Sequence, residues 1–123
     1  KRAGAAYGCN SYGFMIERAL VPGKKPLDAA AAYRSACKDD AFIGCANAVF
    51  LGIQQPRIAR TIDYTGSPKL AAACDVAKAE PEELCFAYGI ALKRGLGVKR
   101  QHQKGAKLLR VLCKSGRKMA CRL

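Results

Sequence analysis

The sequence contains no Trp and only four Phe in 123 residues, whereas Ala is abundant. β-Sheet sandwiches are built from strands that are rich in aromatic and β-branched residues, so this composition argues against them. Ala is the strongest helix former, and its small side chain lets helices pack closely. We therefore predict an all-α fold.

Long apolar segments are also missing. The longest, residues 41–53, includes Asn47 and is too short to span a bilayer, so no transmembrane segment is predicted. Half of the residues are nevertheless apolar and no low-complexity stretch occurs, which argues against a disordered chain. A length of 123 residues fits one domain with a modest core.

Residues that carry chemistry are scarce. His102 is the only histidine, and we expect it to be exposed because it lies in a Lys-rich segment. The close C-x-x-C spacing of structural zinc sites is absent, so we predict no metal and no cofactor. Two acidic pairs, Asp39 with Asp40 and Glu82 with Glu83, lie at predicted helix starts, where carboxylates stabilise the helix dipole. With no nucleophile and convergent base in view, we predict that the protein is not an enzyme.

Acidic residues are absent from the last third of the chain. Residues 1–83 contain 11 Lys/Arg and 9 Asp/Glu, whereas residues 84–123 contain 11 Lys/Arg and no acidic residue. A merely solvated surface usually mixes both signs, so this concentration favours an anionic partner there. An anionic partner of this kind would be an acidic protein face, an anionic lipid or glycan, or nucleic acid. The simpler alternative is a surface that only confers solubility.

The seven cysteines recur at regular positions. Cys9, Cys45, Cys85 and Cys121 are separated by 36, 40 and 36 residues, and Cys37, Cys74 and Cys113 precede the last three of that row by 8, 11 and 8 residues. A repeat of this period indicates one supersecondary unit stacked on copies of itself, as in a solenoid. Regular cysteines in a small chain also indicate disulfides, and hence a periplasmic or secreted protein.

A helical stripe follows two of these cysteines. Cys85, Tyr88, Gly89 and Leu92 lie at i, i+3, i+4 and i+7, and Cys9, Tyr12, Gly13 and Ile16 repeat that spacing. The stripe predicts that Tyr12 and Tyr88 are core residues. We predict three two-helix repeats at about residues 4–40, 41–79 and 80–116, with residues 117–123 beginning a further helix. In the middle repeat an irregular link joins a helix over about 41–54 to a second helix around 69–78. The predicted fold class is an α-solenoid of about three αα-hairpins stapled by disulfides.

Two disulfide schemes fit the cysteine spacing. The cross-turn pairs are Cys37–Cys45, Cys74–Cys85 and Cys113–Cys121, and they leave Cys9 single. The pairs within a repeat are Cys9–Cys37, Cys45–Cys74 and Cys85–Cys113, and they leave Cys121 single. Spacing alone does not decide between them.

The last repeat resembles a known family. The residues that carry the resemblance are Cys85-x-x-Tyr88-Gly89-x-x-Leu92-x-x-Gly95-x-Gly97-Val98, followed by Lys104, Ala106 and Cys113. They look like a Sel-1-like repeat, and the cysteine placement is similar to that of the cysteine-rich secreted bacterial branch of that family. The resemblance implies the cross-turn pairs, and we then expect Cys9 to be a buried thiol. It also implies an interaction scaffold, of which some relatives are immunity proteins.

The repeat register predicts a binding surface on the first helices. Phe14, Phe50 and Ile90 each follow a lead cysteine by five residues and lie off the core stripe. The first helices of a two-helix solenoid line its concave side, which commonly binds ligands. The alternative is that these side chains pack against the neighbouring repeat. The predicted partner-binding residues are Phe14, Arg18, Phe50, Phe86, Ile90, Lys93, Arg94, Lys99 and Arg100.

The leading functional hypothesis is a non-enzymatic protein–protein interaction module of the adaptor or inhibitor/immunity type. It would bind an acidic partner through the concave face and the basic C-terminal repeat. One alternative is binding of nucleic acid or an anionic envelope surface by the basic segment, with nucleic acid disfavoured because stacking aromatics are absent there. A second alternative, suggested by the family resemblance, is a β-lactam or cell-wall hydrolase. Weak self-association through the C-terminal end is a further expectation.

Overall fold

The computed structural model describes residues 3–123, and these residues are largely helical. The helices are α1 (Ala3–Glu17), α2 (Pro26–Lys38), α3 (Phe42–Gln54), α4 (Pro68–Ala73), α5 (Glu82–Arg94), α6 (His102–Lys114) and α7 (Lys118–Arg122). A short 3₁₀ turn, Ala59–Thr61, lies between α3 and α4. Within the described residues the only β-pairing is an isolated bridge between Asp75 and Glu80. The prediction of an all-α fold is confirmed.

The helices pack as neighbouring pairs. α1 packs along α2, α3 packs against the shorter α4, and α5 packs along α6. α3 also contacts α2 and α5, so it joins the first pair to the third, and α7 packs against α6. Because each hairpin covers the apolar face of the next, the chain forms the predicted row of helical hairpins.

Three disulfides staple this row. Cys37–Cys45 ties α2 to α3, Cys74–Cys85 ties the end of α4 to α5, and Cys113–Cys121 ties α6 to α7. These are the cross-turn pairs, with sequence separations of 8, 11 and 8 residues. Cys9 is unpaired and half-buried, so it is less enclosed than the buried thiol that we expected.

The interior consists of small and aliphatic side chains gathered around a few large ones. The largest apolar cluster joins α3 with α5 and α6, and a second cluster surrounds Tyr33 between α2 and its neighbours. The Tyr33 ring is fully buried, and its hydroxyl donates a hydrogen bond to the Glu17 carboxylate. Gly13 lies against this ring, where a Cβ atom would collide with it. The glycine of the first stripe therefore makes room for Tyr33.

Tyr12 is not a core residue, contrary to the prediction from the stripe. It is 42% exposed, whereas Tyr88 at the equivalent stripe position is 6% exposed. α5 packs against α3, α4 and α6, whereas α1 packs chiefly along α2 and touches α3. Tyr12 lines an open hollow between α1 and α2, so part of its ring faces solvent.

The second helix of the middle repeat is shorter than predicted, because α4 ends at Ala73 and not near Lys78. The main chain of Asp75 exchanges two hydrogen bonds with Glu80 across a tight turn. The Asp75 carboxylate accepts a further bond from the Ala77 N–H at 3.1 Å. Ala79 has a φ of 51°, in the left-handed region that a helix excludes. Lys78 therefore lies in this turn.

The link between α3 and α4 is held to the body by Tyr64. Its hydroxyl lies against Gly52 of α3 and donates to the Ala59 carbonyl at 2.8 Å. Gly97 approaches the Tyr64 backbone from the turn after α5, and its φ is 75°. The middle repeat is thus packed on both neighbours although most of its second half is irregular.

Candidate functional site

An open groove lies between α3 and α5, with a volume of about 240 Å³. Phe50 and Ile53 of α3 lie one helical turn apart, as do Phe86 and Ile90 of α5, so each helix presents an apolar pair to the groove. α7 and the C-terminal residue line the groove along the side of α5. The remaining lining residues are Gln54, Glu83, Arg117, Met119 and Leu123.

The floor of the groove is buried and its rim is exposed. Phe86 and Ile90 are buried, and Phe50 is half-buried with its ring centroid 5.4 Å from that of Phe86. For Phe86 and Ile90 the alternative interpretation, packing against the neighbouring repeat, therefore describes their side chains. Met119 is 52% exposed, and Ile53 and Leu123 are half-buried like Phe50, so these residues supply the accessible apolar surface.

Arg117 is the cation of the groove. Its guanidinium carbon lies 4.3 Å from the Phe86 ring centroid, a cation–π contact. Nη1 forms ion pairs with Glu83 and, at 3.6 Å, with Glu82. The Nε–H is buried without a hydrogen-bond partner among the described residues. The sequence patterns did not predict Arg117 as a groove residue, because its position at the start of the predicted further helix carried no signal for a contact with α5.

The predicted apolar row does not continue from the groove to α1. Phe14 is 47% exposed, and the Arg18 guanidinium stacks on its ring at 4.5 Å. About one turn before Phe14 and Phe50 along α1 and α3, the Asn47 side chain donates to the Asn10 side chain at 2.9 Å. Phe14 and Arg18 thus form a separate exposed pair and do not line the groove.

The other four predicted basic residues, after Arg18, group at the C-terminal end of α5. Lys93 donates a hydrogen bond to the Leu123 carbonyl, and Arg100 donates from Nε to the Lys93 carbonyl at 3.2 Å. Arg94, Lys99 and Arg100 are exposed. Since Leu123 lines the groove, these residues lie beside the end of the groove that is nearest the C-terminus of α5; we call Lys93, Arg94, Lys99 and Arg100 the basic rim. Cations at this position also stabilise the negative end of the α5 dipole.

A second set of cations covers the outer face of α6. Its spacing of three or four residues keeps these side chains on one side of the helix, opposite the buried residues Leu108 and Leu112. Val111, which is exposed, lies among them. None of these residues lines the groove. The set consists of Lys104, Lys107, Arg110 and Lys114, and we call it the α6 basic face.

Groups with perturbed pKa values lie away from the groove. Burial, reinforced by the hydrogen bond to Glu17, raises the pKa of Tyr33. Burial also raises the pKa of Tyr64, whereas hydrogen bonds from Thr65 lower the pKa of Asp63. His102 is exposed at the start of α6. Within residues 3–123 no group of three or more His, Cys, Asp or Glu side chains has the arrangement of a metal site.

In the part of the chain that the structure describes, no helix has the length and apolarity needed to cross a membrane. Comparisons with family models, with curated proteins and with solved structures find no significant match.

Proposed function

We propose that the protein is a non-enzymatic interaction module that binds an acidic segment of another protein in the groove between α3 and α5. The observation that carries this proposal is an accessible apolar rim directly beside unpaired cations. Met119 and Ile53 offer apolar surface, and the exposed Arg94 and Lys99 belong to the basic rim, which adjoins the groove where Lys93 binds Leu123. An apolar anchor with carboxylates on one side of it would satisfy both features.

The groove is suited to a short anchor and not to a large interface. Its volume of about 240 Å³ holds one or two side chains, which is the scale of an interaction hot spot. Arg117 is already paired with Glu83, so it contributes a fixed wall and not a free charge. The attraction for acidic residues therefore comes from the basic rim, which would speed association and weaken with salt.

We place this module in the periplasm or outside the cell, as an adaptor or as an inhibitor of the immunity type. Three intramolecular disulfides support such a compartment, because the cytosol keeps thiols reduced. We also propose that the hairpins are Sel-1-like repeats. The cross-turn position of each disulfide and the Gly95 turn, with φ of 75°, support that assignment.

The test is a selection of peptides from a random display library on the oxidised protein. We expect selected peptides to combine Asp or Glu with a large apolar residue. Met119→Glu should weaken their binding at least about tenfold, because it places a carboxylate in the apolar rim. Leu20→Glu is the matched control, since Leu20 is 62% exposed and does not line the groove. Peptides without acidic residues, or equal binding by both variants, would contradict the proposal.

The α6 basic face favours a second candidate, binding to an anionic envelope surface. It is a continuous exposed set of four cations on a chain segment without acidic residues. Vesicles with and without anionic phospholipid separate the two candidates. Lys104→Gln with Lys107→Gln and Lys114→Gln should abolish vesicle binding and leave peptide binding intact, whereas Met119→Glu should do the reverse. Equal retention on neutral vesicles would exclude the second candidate.

A further inference from the structure

A separate cavity lies in the middle repeat, between α2, α3 and the link that leads to α4. Its volume is about 260 Å³, and it shares no lining residue with the groove between α3 and α5. One wall is apolar and consists of the Cys37–Cys45 disulfide, Ala48 and Tyr64. Gly66 lies against this disulfide so closely that a Cβ atom would collide with it. The wall is therefore formed by contacts between the link and the helices.

Ser67 supplies a buried hydroxyl to this cavity. The residue is 2% exposed, and its Oγ has no hydrogen-bond partner among the described residues. Ser67 stands at the N-cap position of α4, but its side chain makes no capping hydrogen bond. A buried polar atom without a partner is unfavourable, so this hydroxyl would be stabilised by a bound group that pairs with it.

The charge around the cavity is positive, and two of its three cations are held by hydrogen bonds or ion pairs. Arg34, Lys38 and Lys69 line it. The Lys69 ammonium donates to the carbonyls of Cys37 and Lys38 at 2.9 and 3.1 Å, which holds it at the end of α2. The guanidinium of Arg34 pairs with a carboxylate through Nε alone, and it has four other N–H donors.

The charge balance selects a monoanion. Arg34 forms an ion pair with Asp63 at 2.8 Å, and Lys69 forms an ion pair with Asp40 at 2.8 Å. Each of these pairs has no net charge. Lys38 has no carboxylate within ion-pair distance in the described part of the chain. The surplus is therefore about one positive charge beside a hydroxyl donor. A dianion would be repelled by Asp63, which also lines the cavity.

We propose that this cavity binds a small monocarboxylate that carries one short apolar or aromatic group. The Ser67 hydroxyl donates to a carboxylate oxygen, and the charge of Lys38 balances that of the ligand. The apolar group lies against the disulfide and the Tyr64 ring, whose hydroxyl is fixed by its bond to Ala59. The volume sets the size of the ligand at about that of benzoate.

The experiment is a titration of the oxidised full chain with benzoate, benzamide and inorganic phosphate, followed by amide chemical shifts. Benzoate is expected to shift the amides of residues 63–69 and to bind at least about tenfold more tightly than benzamide, which lacks the charge. Phosphate is expected to bind more weakly than benzoate. Absence of these shifts, equal affinity for benzamide, or tighter binding of phosphate would overturn the proposal.

Ser67→Ala tests the role of the hydroxyl without disturbing the fold. Ala suits the helical backbone at this position, where φ is −56° and ψ is −33°, and the change removes an unpaired hydroxyl. The variant should be as stable as the wild type and should lose benzoate affinity about tenfold. Lys38→Gln should also weaken benzoate, and Ser35→Ala, which changes an exposed serine outside the cavity, should not. Unchanged benzoate affinity in Ser67→Ala would show that the hydroxyl does not bind the carboxylate and would contradict the proposal.

Discussion

Gly23 and Gly97 share a left-handed backbone but differ in their surroundings. Their φ values are 77° and 75°. A Cβ atom at Gly23 would meet nothing within 4 Å, whereas one at Gly97 would collide with the backbone of Tyr64. Gly23 is thus required only by the backbone conformation of its turn, whereas Gly97 is also required by the close approach of the Tyr64 backbone.

We predict that Gly23→Ala destabilises the protein by about 1 kcal/mol, the cost of placing Ala in the left-handed region. Gly97→Ala should cost about 3 kcal/mol or more, because the Tyr64 backbone must also move away. Urea unfolding of the two oxidised variants measures both values. A similar effect of the two substitutions would show that the link between α3 and α4 moves easily to accommodate a Cβ atom at position 97, contrary to its close packing against Gly97.

Tyr33 gives the protein a predicted sensitivity to alkaline pH. Its pKa is raised above the ordinary value of 10.0 by burial and by the bond to Glu17. Above pH 10.0 the unfolded chain therefore loses a proton that folded Tyr33 retains, and the free energy of unfolding falls as the pH rises. The slope from this one group is at most about 1.4 kcal/mol per pH unit.

Tyr33→Phe should flatten this alkaline slope and lower the free energy of unfolding at neutral pH by about 1 kcal/mol, through loss of the hydrogen bond. Unfolding is measured by urea titration between neutral and alkaline pH in a Cys9→Ser background, so that no free thiolate exchanges with the disulfides. Tyr7→Phe is the control, because Tyr7 is exposed. An equal alkaline slope in all three proteins would contradict the assignment.

At the scale of the helices, α7 depends on one disulfide. It has five residues, too few to be stable alone, and it buries only Ala120. Cys113–Cys121 ties α7 to α6. The Lys93 ammonium also donates a hydrogen bond to the carbonyl of Leu123, the residue that follows α7. Because Met119 and Leu123 line the groove, the position of α7 decides the shape of the proposed binding site.

We expect Cys113→Ser with Cys121→Ser to release α7 and to lower stability by about 2–3 kcal/mol at most, the value for a short closed loop. Amide hydrogen exchange in residues 118–122 should become fast, while α3 and α5 keep their protection. Affinity for the selected peptides should fall together with this protection. Protected α7 amides in the double variant would mean that packing alone holds the helix.

The elements show how far sequence patterns reach. The stripes and the regular cysteines predicted the helical hairpins because both depend on local spacing that one helix imposes on its own residues. The end of α4 was misplaced because the bridge between Asp75 and Glu80 pairs residues across a turn that has no glycine signal. Tyr12 was misplaced because burial depends on a neighbouring hairpin, which a stripe does not report.

The site was harder to predict than the helices. Phe50, Phe86 and Ile90 are together because α3 packs on α5, as the register implied. Arg117 and Met119 join them only through the fold of α7. Phe14 does not join them, because it is 47% exposed and lies outside the groove. The sequence pattern thus did not predict contacts between elements that are far apart along the chain.

For the whole molecule, charge and apolar surface are expected to act at different steps of binding. The net charge of +13 attracts any acidic partner from a distance. This attraction weakens as the salt concentration rises. The apolar rim acts only after contact. Charge beside the groove should therefore change the association rate, and apolar contacts should change the dissociation rate.

We predict that Arg94→Gln with Lys99→Gln and Arg100→Gln lowers the association rate of a selected acidic peptide about tenfold at low salt and flattens its salt dependence. Met119→Glu should instead raise the dissociation rate. A variant with Lys24, Arg60 and Lys78 changed to Gln has the same net charge as the first, and these exposed residues lie outside the groove. Stopped-flow kinetics at several salt concentrations compares the three. If both triple variants slow association equally, overall charge and not the basic rim guides the partner.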